Sequence, residues 1–239
     1  MSPRISIVIA VLNEAENIAA VAAEINRTFA ERVPFEIVFV DDGSSDDTAA
    51  RITALPADYV RLVRHKKRCG KSQAVRSGVV AAQGEWIGTM DGDGQDDPLD
   101  IAKMLDLALA DSGSPLVAGV RAKRNDPWPR LVATRIGNGI RQALLNDGCP
   151  DTACGLKVFK RDAFLQIPVF EGMHRFLPAL FRSYGHGLLL HEVNHRPRAA
   201  GQSKYTNWGR ALVGIGDLAG VMWLRSRTRA PQFIEPPAA

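Results

Sequence analysis

The sequence has few cysteines, no long apolar run and no large excess of charge, and each shortage argues against a class of protein. Its three cysteines, Cys69, Cys149 and Cys154, are an odd number without Cys-x-x-Cys spacing, which indicates neither a disulfide framework nor a zinc ribbon. No stretch reaches the roughly 18 consecutive apolar residues of a membrane-spanning helix. The formal net charge of +4 is too small, taken alone, to indicate a nucleic-acid partner. We therefore expect a protein of the reducing cytosol that binds no nucleic acid.

The residues that are present predict a globular α/β protein. Of 239 residues, 46% are apolar and 23% are charged, which is an ordinary globular composition. Apolar runs rich in β-branched residues alternate with stretches of helical periodicity, and this alternation predicts a Rossmann-like, mostly parallel sheet flanked by helices, with a ligand crevice at the carboxyl ends of the strands. The predicted strands are Ile5–Leu12, Phe35–Val40, Tyr59–Val63, Glu85–Met90, Leu116–Val120, Leu156–Phe159 and Leu188–Asn194.

Capping residues predict where two of the helices begin. Asn13 is a candidate cap for the first helix, and Glu16 can complete a capping box. Asp97 and Pro98 suit the cap and the first position of a later helix. The apolar spacing of that later helix predicts an inner stripe that ends at Leu109.

Two acidic turns that follow predicted strands carry the main chemical signal. The turn Asp91-Gly92-Asp93-Gly94-Gln95 offers two carboxylates and an amide oxygen, separated by glycines that let the backbone curl. Such hard oxygen ligands suit Mg²⁺ or Mn²⁺ and leave positions open for phosphate oxygens. A bare Asp-x-Asp is also common in surface turns. The second acidic strand end, Asp41-Asp42, is predicted at the same edge of the sheet and favours a ligand site.

The sequence His191-Glu-Val-Asn-His195 matches the zinc-protease pattern H-E-x-x-H. It follows three leucines, contains the β-branched Val193 and is closed by Pro197, which together predict a strand. Residues four apart in a strand lie roughly 13 Å apart and cannot share one zinc ion, whereas a helix would bring them together. We therefore expect no zinc site in this segment.

The carboxyl-terminal part of the chain has a different character. Residues 206–229 are predicted to form a basic amphipathic helix that carries Trp208 and Trp223. Such a helix can pack inward as a core element or lie at a membrane interface with its arginines toward anionic headgroups, and we favour the interface. The predicted organisation is a globular domain over residues 1–205, the interfacial helix over 206–229 and a disordered tail over 230–239.

Five segments, taken in order, resemble a known protein family. They are Val11-Leu-Asn-Glu-x-x-Asn17, Val40-Asp-Asp-Gly-Ser-Ser-Asp-Asp-Thr48, Gly70-Lys-Ser72, Asp91-x-Asp-x-Gln95 and Arg198-x-x-Gly-x-Ser-Lys204. Together they look like family-2 glycosyltransferases of the polyprenyl-phosphate type, similar to dolichol-phosphate mannose synthase. The resemblance covers about residues 5 to 225. It implies a GT-A fold, a UDP- or GDP-linked sugar as the donor and an isoprenoid phosphate as the acceptor.

The resemblance also implies roles for individual residues of the donor site. It assigns the base and ribose to Ala10, Leu12, Glu14, Asp41 and Asp42, although the family often has Pro and Tyr at the first two positions. The implied metal ligands are Asp91, Asp93 and Gln95, in agreement with the coordination argument above. The remaining donor residues implied by the resemblance are Lys71, Gly92, Arg198 and Lys204.

For the acceptor phosphate, the resemblance implies Arg121, Arg130 and Thr134. Guanidinium groups suit this task because they bind phosphate oxygens in pairs and keep their charge. The residues expected to be closest to the chemistry are Asp93, Arg121, Arg130 and Arg198.

The expected function is metal-dependent, inverting transfer of a sugar to polyprenyl (undecaprenyl or dolichyl) phosphate. The expected location is the cytoplasmic face of the membrane, to which the chain binds peripherally through its basic helix or through a membrane-anchoring partner protein. Two alternatives stay open. One is transfer to a carbohydrate hydroxyl in polysaccharide synthesis, which needs a carboxylate base, and Asp151 is the candidate. The other is a non-catalytic module that binds a nucleotide or a lipid phosphate.

Overall fold

A computed structural model describes residues 3–121, 128–194, 196 and 207–229 of the chain. The strands are β1 (Ile5–Val11), β2 (Phe35–Asp41), β3 (Val60–Arg64), β4 (Trp86–Asp91), β5 (Leu116–Arg121), β6 (Lys157–Lys160) and β7 (Leu188–Val193). The helices are α1 (Ile18–Phe29), α2 (Thr48–Thr53), α3 (Lys71–Ala81), α4 (Pro98–Ala110), α5 (Trp128–Leu145), α6 (Arg161–Leu165), α7 (Leu177–Ser183) and α8 (Asn207–Arg227), with a 3₁₀ turn at Met173–Arg175.

The described strands form one seven-stranded sheet in the order β3-β2-β1-β4-β6-β5-β7. Strand β6 runs antiparallel to β4 and β5, and the other pairs are parallel, which confirms the predicted mostly parallel sheet. The carboxyl ends of β2, β1 and β4 lie side by side. Ala10 is paired with Val40 on one side and with Asp91 on the other. The two acidic turns predicted from the sequence therefore leave the sheet at the same edge.

Helices cover both faces of the sheet, which explains why its central strands are apolar at nearly every position. Ile7 and Ile9 pack in one cluster with α1 and α4, whereas Val8 packs in a second cluster with α3, α6 and α7. Side chains alternate along a strand, so consecutive apolar residues of β1 serve both layers. The buried core thus lies directly beneath the strand ends that carry the acidic turns.

The predicted start of the first helix is wrong. Helix α1 begins at Ile18, with Asn17 as the residue before it, and Asn13 does not cap it. Asn13 instead adopts a left-handed conformation with φ of 53°. Its side-chain oxygen accepts a hydrogen bond from the Ser45 backbone N–H at 2.8 Å. Asn13 therefore joins the loops that follow β1 and β2, a contact between distant residues that a local capping pattern does not reveal.

The predicted start of helix α4 is confirmed, and one residue of its predicted stripe is wrong. The Asp97 carboxylate accepts a hydrogen bond from the Leu99 N–H at 2.9 Å, and Pro98 is the first helical residue. Leu109 was predicted to face inward, but 40% of it is exposed, while Ala108 is fully buried. The buried stripe of α4 therefore ends at Ala108, one residue earlier than predicted.

The segment with the H-E-x-x-H pattern is a strand, as predicted. His191 lies in the middle of β7, and His195 lies outside the described residues. The Nε2 atom of His191 is 3.9 Å from a carboxylate oxygen of Asp100. His191 is thus part of the contact between β7 and helix α4.

Helix α8 presents two different faces. Val221 is buried, and Leu218 and Leu224 pack beside it against the core. On the outer side, Trp223 is 64% exposed and Met222 is 41% exposed. Among the helices in the described ranges, none is both long and apolar enough to span a bilayer. A core role and an interfacial role for α8 are therefore compatible, because the face with Val221 packs against the core and the face with Trp223 is exposed.

Candidate active site

The predicted donor residues lie on neighbouring strand ends. Ala10 is at the end of β1, Asp41 ends β2 and Asp91 ends β4. Leu12 and Glu14 follow in the loop after β1, which is tied to the loop after β2 by a hydrogen bond from the Glu14 N–H to the Thr48 hydroxyl at 2.9 Å. The structure thus brings together residues that are separated by about 80 positions in the sequence.

The acidic turn after β4 is closed by its own carboxylates. Asp93 accepts a hydrogen bond from the Gln95 backbone N–H at 3.2 Å, and Asp96 accepts one from the Asp91 N–H at 2.9 Å. A Cβ atom on Gly92 would lie 2.6 Å from a methyl group of Val11. Gly92, predicted as a donor residue, is therefore required for close packing of the turn against β1.

Lys71 reaches from the start of helix α3 to the Asp91 carboxylate, with which it forms a hydrogen-bonded ion pair. Burial raises the pKa of Asp91, but the charge of Lys71 and its hydrogen bond outweigh burial and lower it. Burial likewise opposes the ammonium of Lys71, and the charge of Asp91 nevertheless raises the pKa of Lys71. Both groups are therefore charged at neutral pH.

Asp96 is the clearest sign that negative charge is crowded in this turn. It is buried, and burial together with the negative charge of Asp91 raises the pKa of Asp96 to about 7. The charges of Asp91, Asp93 and Asp96 all act on Lys71. The Lys71 ammonium therefore interacts with three carboxyl groups. A divalent cation held by oxygen ligands fits such a site, because it would supply the positive charge that the carboxylates lack.

Gly155 allows the loop before β6 to approach the acidic turn. A Cβ atom at this position would lie 2.9 Å from both the Cγ and an oxygen of the Asp91 carboxylate. The backbone carbonyl of Gly155 also accepts a hydrogen bond from the Thr89 hydroxyl at 2.7 Å. The position of the Asp91 carboxylate thus depends on a residue that is 64 positions away in the sequence (155 minus 91).

Asp42, predicted to bind the nucleoside, holds the loop that follows β3. One of its oxygens lies 2.7 Å from His65 Nδ1 and accepts the Cys69 N–H at 2.8 Å. The other accepts the Gly70 N–H at 2.8 Å. His65 Nε2 in turn lies 2.9 Å from the Ser77 hydroxyl. Asp42 therefore positions the start of α3, and with it Lys71.

The loop after β3 packs closely against Gly43 and brings possible metal-ligating atoms together. A Cβ atom on Gly43, whose φ is +80°, would lie 2.8 Å from the Arg68 backbone nitrogen, so only glycine lets the loop pack here. Possible metal-ligating atoms of Asp42, His65 and Cys69 lie within 4.8 Å of one another. The hydrogen bonds of Asp42 and His65 already occupy those atoms.

Asp41 and Arg121 are both placed by charged partners. The buried Asp41 carboxylate accepts the Ser44 N–H at 2.8 Å and lies 3.3 Å from Arg64 Nε. Arg121 donates two hydrogen bonds to Asp151, from Nε at 2.7 Å and from Nη2 at 2.8 Å. Arg121, predicted for the acceptor phosphate, and Asp151, the candidate base, therefore form a bidentate ion pair.

The other predicted acceptor and diphosphate residues can be placed only in part. Arg130 and Thr134 lie in helix α5. Arg198 and Lys204 lie outside the described residues. Arg196, two residues before Arg198, is anchored to the acidic turn, because its backbone N–H donates to the Gln95 carbonyl at 3.0 Å.

Sequence reasoning missed three residues beside the acidic turn. They are Asp96, Lys157 and His174. Lys157 is only 4% exposed, donates to the Thr152 and Cys154 carbonyls, and has its pKa lowered by burial. Burial and the charges of Lys71 and Lys157 hold the pKa of His174 well below its ordinary value. Asp96 could have been found in its acidic run, but no local pattern marks the other two.

Solved structures with a similar architecture establish the fold. Glucosyl-3-phosphoglycerate synthase from Mycobacterium tuberculosis, crystallised with Mn²⁺, UDP-glucose and phosphoglyceric acid, aligns with a TM-score of 0.67 at 20% identity, over 96% of this chain and 81% of that one. A crystal structure of the same enzyme with Mg²⁺ and UDP gives a TM-score of 0.64 at 20% identity, with the same coverage. At this level of identity the likeness establishes the fold, and the predicted GT-A architecture is confirmed.

The family follows from the sequence comparisons. Residues 6–167 match the family described as "Glycosyl transferase family 2", and the chain belongs to this family. Undecaprenyl-phosphate 4-deoxy-4-formamido-L-arabinose transferase of Serratia proteamaculans (strain 568) is 31% identical over 207 residues, which cover 85% of this chain and 63% of that protein. Dodecaprenyl-phosphate galacturonate synthase of Rhizobium johnstonii (strain DSM 114642 / LMG 32736 / 3841) is 30% identical over 243 residues, or 97% and 70% of the two chains. The resemblance to polyprenyl-phosphate glycosyltransferases is thus confirmed, and the chain spans less than two thirds of the former relative.

Proposed function

We propose that this protein transfers a sugar from a nucleotide sugar to a polyprenyl phosphate. The observation that carries the proposal is the crowded acidic turn after β4, whose three carboxyl groups all act on the Lys71 ammonium at the carboxyl edge of a GT-A sheet. The names of the polyprenyl-phosphate relatives support the acceptor, and the UDP-bound structures of similar fold support a nucleotide-sugar donor.

Asp91, Asp93 and Gln95 are the residues that we propose hold Mg²⁺ or Mn²⁺. The oxygen chemistry of these side chains and the raised pKa of Asp96 fit a divalent cation. When bound, such an ion neutralises the negative charge that develops on a departing nucleoside diphosphate. Lys71 would hold the Asp91 carboxylate in position during the reaction. Arg198 and Lys204 belong to the same proposed site, since Arg198 comes two residues after Arg196 in the sequence, and the Arg196 backbone N–H donates to the Gln95 carbonyl.

The acceptor needs positioning rather than deprotonation, because a phosphate is already ionised near pH 7. We assign its binding to Arg121, Arg130 and Thr134. Arg121 is held in position by its ion pair with Asp151, and the acceptor phosphate would share this guanidinium. A carbohydrate hydroxyl would instead need Asp151 as a free base, yet both oxygens of Asp151 are on Arg121. The geometry therefore favours the phosphate acceptor.

We also propose that α8 docks the enzyme on the cytoplasmic face of the membrane. Trp223 and Met222 lie on its exposed face, and Arg227 and Arg229 are exposed at its end. Tryptophan beside arginine suits the boundary between acyl chains and anionic headgroups. Arg225, by contrast, donates to the Ser183 hydroxyl and the Leu145 carbonyl, so it fixes the helix to the protein.

The proposed activity is tested by incubating the purified chain, with Mn²⁺ or Mg²⁺, with undecaprenyl phosphate and a panel of labelled nucleotide sugars. The panel includes UDP-glucose, UDP-galacturonate, GDP-mannose and a nucleotide-linked 4-deoxy-4-formamido-L-arabinose. We expect label in the lipid fraction with one donor, and loss of transfer when EDTA removes the metal. Label in a polymer would establish the carbohydrate acceptor instead, and no transfer with any donor would contradict the proposal.

Membrane docking is tested by sedimentation with vesicles. We expect the wild-type chain to bind vesicles that contain anionic lipid, and we expect Trp223→Ser to lower the partition coefficient by about three- to tenfold, because an exposed indole no longer enters the interface. Val80→Ser is the matched control, since Val80 is 55% exposed on α3. Equal binding of wild type and Trp223→Ser would contradict docking through α8.

A further inference from the structure

His174 is a polar residue beside the acidic turn to which the proposed mechanism assigns no task. It lies in the 3₁₀ turn before helix α7, and its Nδ1 atom is 2.9 Å from the Ser72 hydroxyl. Ser72 follows Lys71 in helix α3. The charges of Lys71, Lys157 and Asp91 all act on the His174 ring. The imidazole is therefore part of the same cluster as the carboxylate of the proposed metal site.

The hydrogen bonds of Ser72 determine which nitrogen of His174 carries the proton. Ser72 is buried, so its hydroxyl hydrogen needs an acceptor. Its contacts within the described residues are His174 Nδ1 and the His174 backbone N–H, which itself donates to the Ser72 oxygen at 3.4 Å. The hydroxyl hydrogen must then go to Nδ1. An imidazole that accepts at Nδ1 and is neutral carries its proton on Nε2.

The Nε2–H group is available to a ligand. Across the part of the chain that the structure describes, His174 Nε2 has no hydrogen-bond partner, and it is not among the fully buried polar atoms. It is a neutral donor, and the two ammonium groups near it already have hydrogen-bond partners. Lys71 faces Asp91, and Lys157 donates to two backbone carbonyls.

The order of groups along the sheet edge identifies the part of the donor that His174 meets. The residues assigned to the nucleoside lie at the end of β2, the proposed metal ligands follow β4, and Lys157 lies on β6, the next strand. A nucleotide sugar has the same linear order of nucleoside, diphosphate and sugar. The sugar would then lie near Lys157, and the charge of Lys157 acts on His174, so we place His174 beside the sugar. A neutral N–H donor also suits an uncharged hydroxyl, whereas the diphosphate is met by cations.

We propose that His174, oriented by Ser72, donates its Nε2–H to a hydroxyl oxygen of the transferred sugar and so contributes to the choice of sugar. This inference rests on the proposed function, since it deepens the donor site of that reaction. His174 is a sugar-binding residue, and Ser72 is a positioning residue that acts through it. A site built to bond a particular hydroxyl discriminates against sugars that lack it or present it in the other orientation.

The first test compares binding of the donor that the panel identifies with binding of its nucleoside diphosphate, both by calorimetry with Mn²⁺. We expect His174→Ala to weaken binding of the nucleotide sugar by about three- to tenfold, because one neutral hydrogen bond is lost. The affinity for the nucleoside diphosphate should stay within about twofold of the wild-type value. His174→Gln should recover part of the loss, because its amide can donate. His186→Gln is the matched control, since His186 precedes β7 at the opposite edge of the sheet. The inference would be overturned if His174→Ala weakened binding of both ligands equally, or if it weakened binding of neither.

The second test needs no substrate. Long-range proton–nitrogen correlation spectra of the full chain report which ring nitrogen of His174 is protonated. We expect the Nε2–H form at neutral pH in the wild type and a mixture of both forms in Ser72→Ala. A wild-type ring protonated on Nδ1 would overturn the inference, whatever the donor. Failure of the proposed function is distinguishable, because it would show as an absence of sugar transfer by the wild-type chain.

Discussion

Replacement of Asp93 by Asn is expected to lower the turnover of sugar transfer by at least about a hundredfold. The substitution removes one negative charge from the proposed metal ligands, and loss of one preorganised group that stabilises developing charge typically costs that much. The turn itself should survive, because an asparagine oxygen can still accept the hydrogen bond from the Gln95 N–H that Asp93 accepts at 3.2 Å. The measurement is kcat at saturating Mn²⁺, together with the metal concentration that gives half the maximal rate.

Asp162→Asn is the matched control for this experiment. It makes the same chemical change at a carboxylate that is 89% exposed on helix α6, where its contact is a 3.7 Å ion pair with Arg161. We expect its turnover to equal that of the wild type. Thermal unfolding of both variants should stay close to that of the wild type. An Asp93→Asn enzyme with wild-type turnover and wild-type metal dependence would exclude the proposed ligand set.

Gly155→Ala is expected to reduce turnover by about ten- to a hundredfold, because it displaces the Asp91 carboxylate. The added Cβ would lie 2.9 Å from the Asp91 Cγ, which is closer than such atoms come in proteins. Gly155 does not have a positive φ, so alanine causes no backbone strain there. The short Asp91 side chain must therefore move away from the added Cβ, which disturbs its ion pair with Lys71, and a displacement of about 1 Å in a catalytic group can cost a factor of about a hundred. The measurements are kcat and the apparent affinity for Mn²⁺.

The matched control is Gly187→Ala, at the residue before β7 and far from the acidic turn. A Cβ atom there would make an ordinary contact of 3.6 Å with Pro115. We expect this variant to keep wild-type activity and wild-type metal affinity. If Gly155→Ala unfolds at the wild-type temperature and also keeps full activity, the close approach of the Gly155 loop to Asp91 is irrelevant to catalysis.

The sheet was predictable because its signals are local. β1 and β2 are short apolar runs bounded by turn formers, and Asp97 with Pro98 marks a helix start in adjacent residues. The antiparallel direction of β6 was not predictable, because no local pattern states which way a short buried strand runs. The misplaced cap at Asn13 has the same origin. Its side chain bonds to Ser45, and a contact over 32 positions competes successfully with the local capping pattern.

The candidate site divides in the same way. The Asp91-x-Asp93-x-Gln95 turn was visible because its members are adjacent in the chain and their oxygen chemistry is explicit. Lys157 and His174 were not visible, since a lone lysine or histidine in a sequence carries no chemical context. The Arg121–Asp151 ion pair likewise joins two residues that were predicted separately, for the acceptor phosphate and as a base in a rival mechanism.

By itself, the sequence determined the alternation of strands and helices, the acidic turn at a strand end and the membership of family 2, because each depends on residues that are neighbours in the chain or on the order of short segments. Only the tertiary structure decided that Asp42 holds a loop, that Gly155 presses on Asp91 and that Ser72 orients His174. The physical reason is that hydrogen bonds, close contacts and the pKa of a buried group depend on distance in space, and folding brings residues from distant parts of the chain to the same strand end.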